Sequence, residues 1–77
     1  MTEIDLQLLK ASIDKVVRIV CHDGEKMLAK IHVVSDEEED VIYDLIFTTK
    51  ESQFERKHDE QPAYLITFRE IERVERP

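Results

Sequence analysis

Three kinds of side chain in this chain could do chemistry: the thiol of Cys21, the imidazoles of His22, His32 and His58, and an unbroken acidic run, Asp36-Glu37-Glu38-Glu39-Asp40. A reactive thiol needs nearby positive charge or a helix N-terminus. His22 is adjacent, but alternation along a strand sends neighbouring side chains to opposite faces, so the pattern favours an inert core cysteine. His22 and His32 could share a face across a hairpin. With Asp44 they would offer a surface site to a transition metal. Their spacing matches no metal motif, and ordinary surface or interface histidines are the plainer reading. His58 sits in a polar stretch and reads as solvated. The acidic run offers oxygens to calcium or magnesium but lacks the glycine and spaced ligands of a calcium loop. It reads as a solvated turn whose charge discourages strand-edge aggregation.

No Ser-His-Asp set, phosphate-binding loop or dinucleotide glycine motif is present, and the chain has a single glycine. The expectation is a non-enzyme with no cofactor, no metal and no small-molecule substrate. The cations a nucleic-acid argument would need are Arg18, Lys30, Arg56, Lys57, Arg69, Arg73 and Arg76. Most are interleaved with glutamate and read as local ion pairs. The formal charge of −7 repels a polyanion on average. Tyr43, Phe47, Tyr64 and Phe68 could stack bases. Their places on alternating apolar stretches make them core or subunit contacts instead. Phe54, isolated among charges, reads as a loop anchor or a partner site.

The elements that must position these groups follow from the spacing of apolar residues. Thr2 to Asp5 carries a capping signature, and Ile4, Leu8 and Ala11 recur at helical spacing beside Leu9. A short amphipathic helix is expected over about residues 3–11. Val16 to Phe47 then reads as strand, Asp23-Gly24 turn, strand, acidic turn, strand. Strands are expected at about 16–22, 26–34, 41–49, 63–68 and 71–75, with a long polar loop before the fourth. Alternation places Val17, Ile19, Cys21, Met27, Ala29, Ile31, Val33, Val41, Tyr43, Leu45 and Phe47 on one inward face. The fold class is mainly β, a short helix plus a strongly bent five-stranded antiparallel sheet of the open-barrel type. The outer faces carry many apolar residues, so a half-covered second side is expected.

At 77 residues this is one domain, residues 1–77, with a small core. One cysteine excludes an internal disulfide, so oligomerisation is the expected source of added stability. A lone cysteine suits a reducing compartment, and neither a signal peptide nor a membrane-spanning run is visible. The expected setting is cytoplasmic, with no membrane partner.

This order of elements resembles the Sm-like (LSm, Hfq-type) family. Leu9 to Ile19 looks like the family's entry from helix to first strand, and Asp23-Gly24 sits at its first turn. Ala29 falls where the family has a bending glycine, and Asp36 fits its turn aspartate. Asp40 falls where Sm proteins carry a base-contacting asparagine. Phe68-Arg69-Glu70-Ile71 lies where the second motif reads Ile-Arg-Gly, and Ile71 with Val74 fits the last strand. The resemblance implies single-stranded RNA binding at Asp40, Phe68 and Arg69. It also implies a homo-oligomeric ring of about five to seven copies, with the fourth strand of one copy pairing with the closing strand of the next. Tyr64, Ile66, Phe68, Ile71 and Val74 would form that interface. Two departures bear on function: Asp40 puts a carboxylate where a base and phosphate would approach, and Glu70 replaces glycine beside Arg69. The alternative reading is an acidic protein-interaction or structural oligomer that binds no nucleic acid.

Overall fold

The computed structural model describes residues 1–49 and 63–77. Helix α1 (Glu3–Lys10) leads into strands β1 (Val16–Cys21), β2 (Lys26–Ser35) and β3 (Asp40–Thr48). Strand β4 (Tyr64–Thr67), a 3₁₀ turn (Phe68–Glu70) and β5 (Ile71–Glu75) complete the described chain. All pairings are antiparallel, and the sheet order is β4-β3-β2-β1-β5. The protein is therefore mainly β, and among the described residues its sheet has five strands and does not close into a barrel. Its two edges are β4 and β5.

The helix starts where its capping residues stand. The Thr2 hydroxyl accepts from the Asp5 backbone N–H, and the Asp5 carboxylate accepts from the Thr2 N–H at 2.8 Å. The other Asp5 oxygen accepts from the Val74 N–H at 3.0 Å, which fastens the helix to β5. The expected apolar stripe is rotated. Leu9 is the fully buried helix residue, whereas Ile4 is 78% exposed and Ala11 is exposed. The tie through Asp5 explains this, because Leu9 lies one turn beyond Asp5 on the same side.

The core comprises Leu9, Val17, Ile19, Cys21, Met27, Ala29, Ile31, Val41, Tyr43, Leu45, Ile66, Ile71 and Val74. Two residues expected inside are outside: Val33 is 48% exposed and Phe47 is 50% exposed. Register shifts account for both. Ile31 pairs with Tyr43 but Val33 pairs with Ile42, so His32 is an extra residue in β2. Leu28 pairs with Phe47 but Ala29 pairs with Leu45, so Ile46 is an extra residue in β3. Each bulge inverts the alternation beyond it. Thr48 is buried in the place Phe47 would otherwise take. A third bulge in β5 pairs Ile71 with Cys21 and Arg73 with Val20, leaving Glu72 as the extra residue. It explains how Ile71 and Val74, three apart, both point inward from a strand.

Three turns among the described residues take left-handed backbone, one of them at Asp14 between α1 and β1, at φ 67°. Gly24 supplies it in the first hairpin, at φ 97°. Glu39 adopts φ 57° in the acidic turn without that freedom.

Candidate functional site

The turn between β2 and β3 and the turn between β4 and β5 lie side by side. Ser35 starts the first by accepting the Glu38 N–H on its hydroxyl at 3.1 Å. Asp40 then pairs with Ser35 in β2 and with Thr67 in β4. The Phe68 N–H donates to the Glu39 carbonyl at 2.9 Å. Asp40, Phe68 and Arg69, singled out from sequence, are thereby brought together. Arg69 is exposed, and Phe68 is partly buried against the core. A depression of about 370 Å³ borders Phe68 and Arg69, reaching Met1, Thr2, Glu3, Leu6 and Glu39. A smaller one of about 260 Å³ brings Arg69 beside Glu38, Glu39 and Thr67. Among the described residues, these depressions bring the Arg69 guanidinium beside the carboxylates of Glu3, Glu38 and Glu39. Lys10 also approaches, but its Nζ lies 2.6 Å from Asp36 in an ion pair.

The residues expected at an oligomer interface lie on β4, on the 3₁₀ turn and on β5. Ile66, Ile71 and Val74 are buried in the chain's own core. Tyr64 and Phe68 pack partly against it, with the Tyr64 ring 5.8 Å from that of Tyr43. In β4 alternation turns Tyr64 and Ile66 inward, and in β5 the bulge at Glu72 turns both Ile71 and Val74 inward. What the two edges offer a neighbour is backbone, and in β4 its phase can be read. Asp40 and Thr67 are opposed while Phe68 N–H bonds to Glu39, which makes them a non-hydrogen-bonded pair. The main-chain groups of Thr67 and Leu65 therefore point outward, and those of Ile66 point to β3. The outward Thr67 N–H is held by the Glu70 carboxylate at 3.3 Å, and the Thr67 hydroxyl donates to the same oxygen at 3.0 Å.

A second cluster sits at the first hairpin. Donor atoms of Cys21, Asp23 and Glu25 lie within 4.8 Å of one another. They border a cavity of about 390 Å³ that also meets Tyr43, Tyr64 and Arg69. The turn itself makes the cluster: Asp23 accepts the Glu25 N–H at 2.9 Å, and Gly24 N–H returns to the Cys21 carbonyl at 3.0 Å. The Thr48 hydroxyl donates to the buried Glu25 carboxylate. Burial, then the neighbouring Glu25 and Cys21, pushes the Tyr43 phenol well above its ordinary range. Thiolate and carboxylates together are a donor set for a borderline cation. Sequence reading took Cys21 as core, which its burial matches, but missed this grouping. The signal was available as donors at alternate positions across Asp23-Gly24.

The histidine site considered from sequence does not assemble. His32 Nε2 lies 2.9 Å from Asp44 Oδ2 on the outer face. His22 is in the hairpin turn, donating its backbone N–H to the Glu70 carbonyl, at the opposite end of β2 from His32. Phe54, Arg56, Lys57 and His58 lie outside the described residues. No helix among the described residues is long and apolar enough to cross a membrane. Comparison with protein-family models, with curated proteins and with solved structures returns no match.

Proposed function

We propose that this chain is a non-catalytic, cytoplasmic interaction module of Sm-like kind. Copies assemble head to tail through the two edges of the sheet, and the assembly contacts protein rather than nucleic acid. The observation that carries the reading is one sheet with two unlike edges, β4 and β5, each with a strand neighbour on one side only among the described residues. Unpaired edges invite pairing, and unlike edges pair heterologously, which closes into a ring when the rotation permits. Helix followed by five strands supports the kinship.

Acidity supports the choice of protein over RNA. Glu3, Glu38 and Glu39 line the same depressions as Arg69, and Glu70 follows it in the chain, where phosphates would need cations. RNA binding is the second reading, favoured by the contact between the Asp40 and Phe68-Arg69 turns. Light scattering on the protein at roughly 50 µM tests assembly. A mass of several copies is expected, and a clean monomer would overturn it. An oligo(U) titration at low salt tests the choice of partner. No binding is expected, and salt-sensitive binding would replace the first reading by the second.

A further inference from the structure

The outer face of the sheet carries a row of apolar side chains outside the chain's own core cluster, apart from it in register and direction. Val33 of β2, Ile42 of β3 and Leu65 of β4 stand directly opposite one another. Val41 and Tyr43, on either side of Ile42, are core residues, so Ile42 and its partners point away from it. Val33 is 48% exposed, Leu65 is 58% exposed and Ile42 is partly buried. The bulge at His32 turns Val33 to this face.

Charge brackets the row. Asp40 and Asp44 lie two residues either side of Ile42 on the same strand and face. Glu37, Glu38 and Glu39 continue the acidic side beyond Asp40. Among the described residues, the cations nearby are already beside acids. Lys30 is in register with Asp44, His32 contacts Asp44, Lys10 pairs with Asp36, and Arg69 lies beside Glu38 and Glu39.

Spacing selects the shape of an occupant. Three neighbouring strands put the row's residues about 4.8 Å apart, so it spans about 10 Å. Positions i, i+4 and i+7 of a helix span about 10.5 Å. Three same-face residues of an extended segment span about 13 Å. We infer that the Val33–Ile42–Leu65 row docks a basic amphipathic helix of a partner protein. The helix lays its apolar stripe along the row and directs Lys or Arg to the Asp40 and Asp44 flanks. This rests on the reading of the chain as a protein-interaction module and adds the partner's chemistry.

The test uses the full chain and a fluorescein-labelled synthetic helix with Leu at i, i+4, i+7 and i+11 and Lys on both flanks. A shuffled peptide of the same composition and a Glu-for-Lys peptide are the controls. By fluorescence anisotropy at low salt, both controls should bind at least about tenfold more weakly. Leu65→Ser and Val33→Thr should each weaken binding by about five- to tenfold. Ile4→Ser, which removes an exposed apolar residue from the helix instead, should leave binding unchanged. Equal binding of the shuffled peptide would reduce the site to bulk charge and overturn the inference. So would wild-type affinity in Leu65→Ser, or no binding by the basic helix. Light scattering on the same samples separates the two readings. Binding by a monomer supports the docking site while assembly falls, and an assembled protein that ignores the peptide overturns the docking site alone.

Discussion

Asp5 does more than cap a helix, because its two oxygens serve different partners. One accepts from Thr2 and the other from the Val74 N–H of the edge strand β5. Burial pushes its carboxyl up, but the bonds from Val74 and Thr2 outweigh that and hold it below the ordinary carboxylate value. Asp5→Ala should cost about 1–2 kcal/mol in urea or thermal unfolding, from the lost cap and a Val74 amide left without its acceptor. The sign with pH follows from a lowered folded value. Stability from Asp5 is present in full above the unfolded carboxyl's range and is lost as pH falls through the folded value. The gap between wild type and Asp5→Ala should therefore be constant at neutral pH and close in acid. A gap that persists unchanged at pH 2 would show that charge on Asp5 contributes nothing. Glu70 presents the same chemistry at the other edge, where its carboxylate occupies the outward Thr67 amide that a pairing strand would need. Glu70→Ala should release that amide and raise the assembled fraction by about two- to fivefold at fixed concentration. Glu70→Gln removes the charge yet keeps an acceptor, so it should change assembly less. Equal effects in the two variants would assign the result to charge.

At the scale of elements, hydrogen-bond phase along β4 predicts opposite fates for adjacent prolines. Leu65 turns its N–H outward, so Leu65→Pro removes no ladder bond within the chain. Ile66 faces β3, so Ile66→Pro deletes a ladder donor and forces a ring into the core, at about 3 kcal/mol or more. Circular dichroism should find Leu65→Pro folded and Ile66→Pro largely unfolded. Leu65→Pro should also fail to assemble, because the same outward amide serves the proposed neighbour. Equal folding losses in the two variants would refute the phase. The strands themselves were legible because period-two alternation is strong in Val16 to Phe47, and the Asp23-Gly24 turn fixes the first register. What escaped was parity. Nothing in the composition of Ile31-His32-Val33 or Leu45-Ile46-Phe47 marks an inserted residue, so Val33 and Phe47 were assigned to the wrong face. Bulges arise from closure of the sheet against its core, a long-range demand that a local pattern does not carry. The helix stripe was misjudged for a similar reason, since the tie from Asp5 to Val74 spans most of the chain.

For the whole molecule, the candidate site was legible as positions but not as chemistry. Sequence placed Asp40 in the acidic turn, Phe68 at the end of the fourth strand and Arg69 just beyond it, and the ladder between β3 and β4 brings them together. It could not show that Glu38, Glu39 and Glu70 gather at the same place, because that depends on turn geometry. The Cys21, Asp23 and Glu25 grouping was legible only as donors at alternate positions, and the hairpin at Asp23-Gly24 is what gathers them. Net charge decides between the two partners proposed. Each copy carries −7, so copies brought edge to edge repel through water. Salt shortens the Debye length from about 30 Å at 0.01 M to about 3 Å at 1 M and removes most of that repulsion. Backbone pairing and apolar contact at the edges are not weakened in the same way. Assembly through β4 and β5 should therefore strengthen with salt. RNA binding has the opposite sign, because displaced counterions drive it and added salt opposes their release. Light scattering from 0.02 to 0.5 M salt should show mass rising toward a plateau, by the ranges above. In parallel, oligo(U) anisotropy should stay flat. Mass that falls with salt while oligo(U) binds at the low end would mean that polyanion contacts, rather than paired sheet edges, hold the particle together.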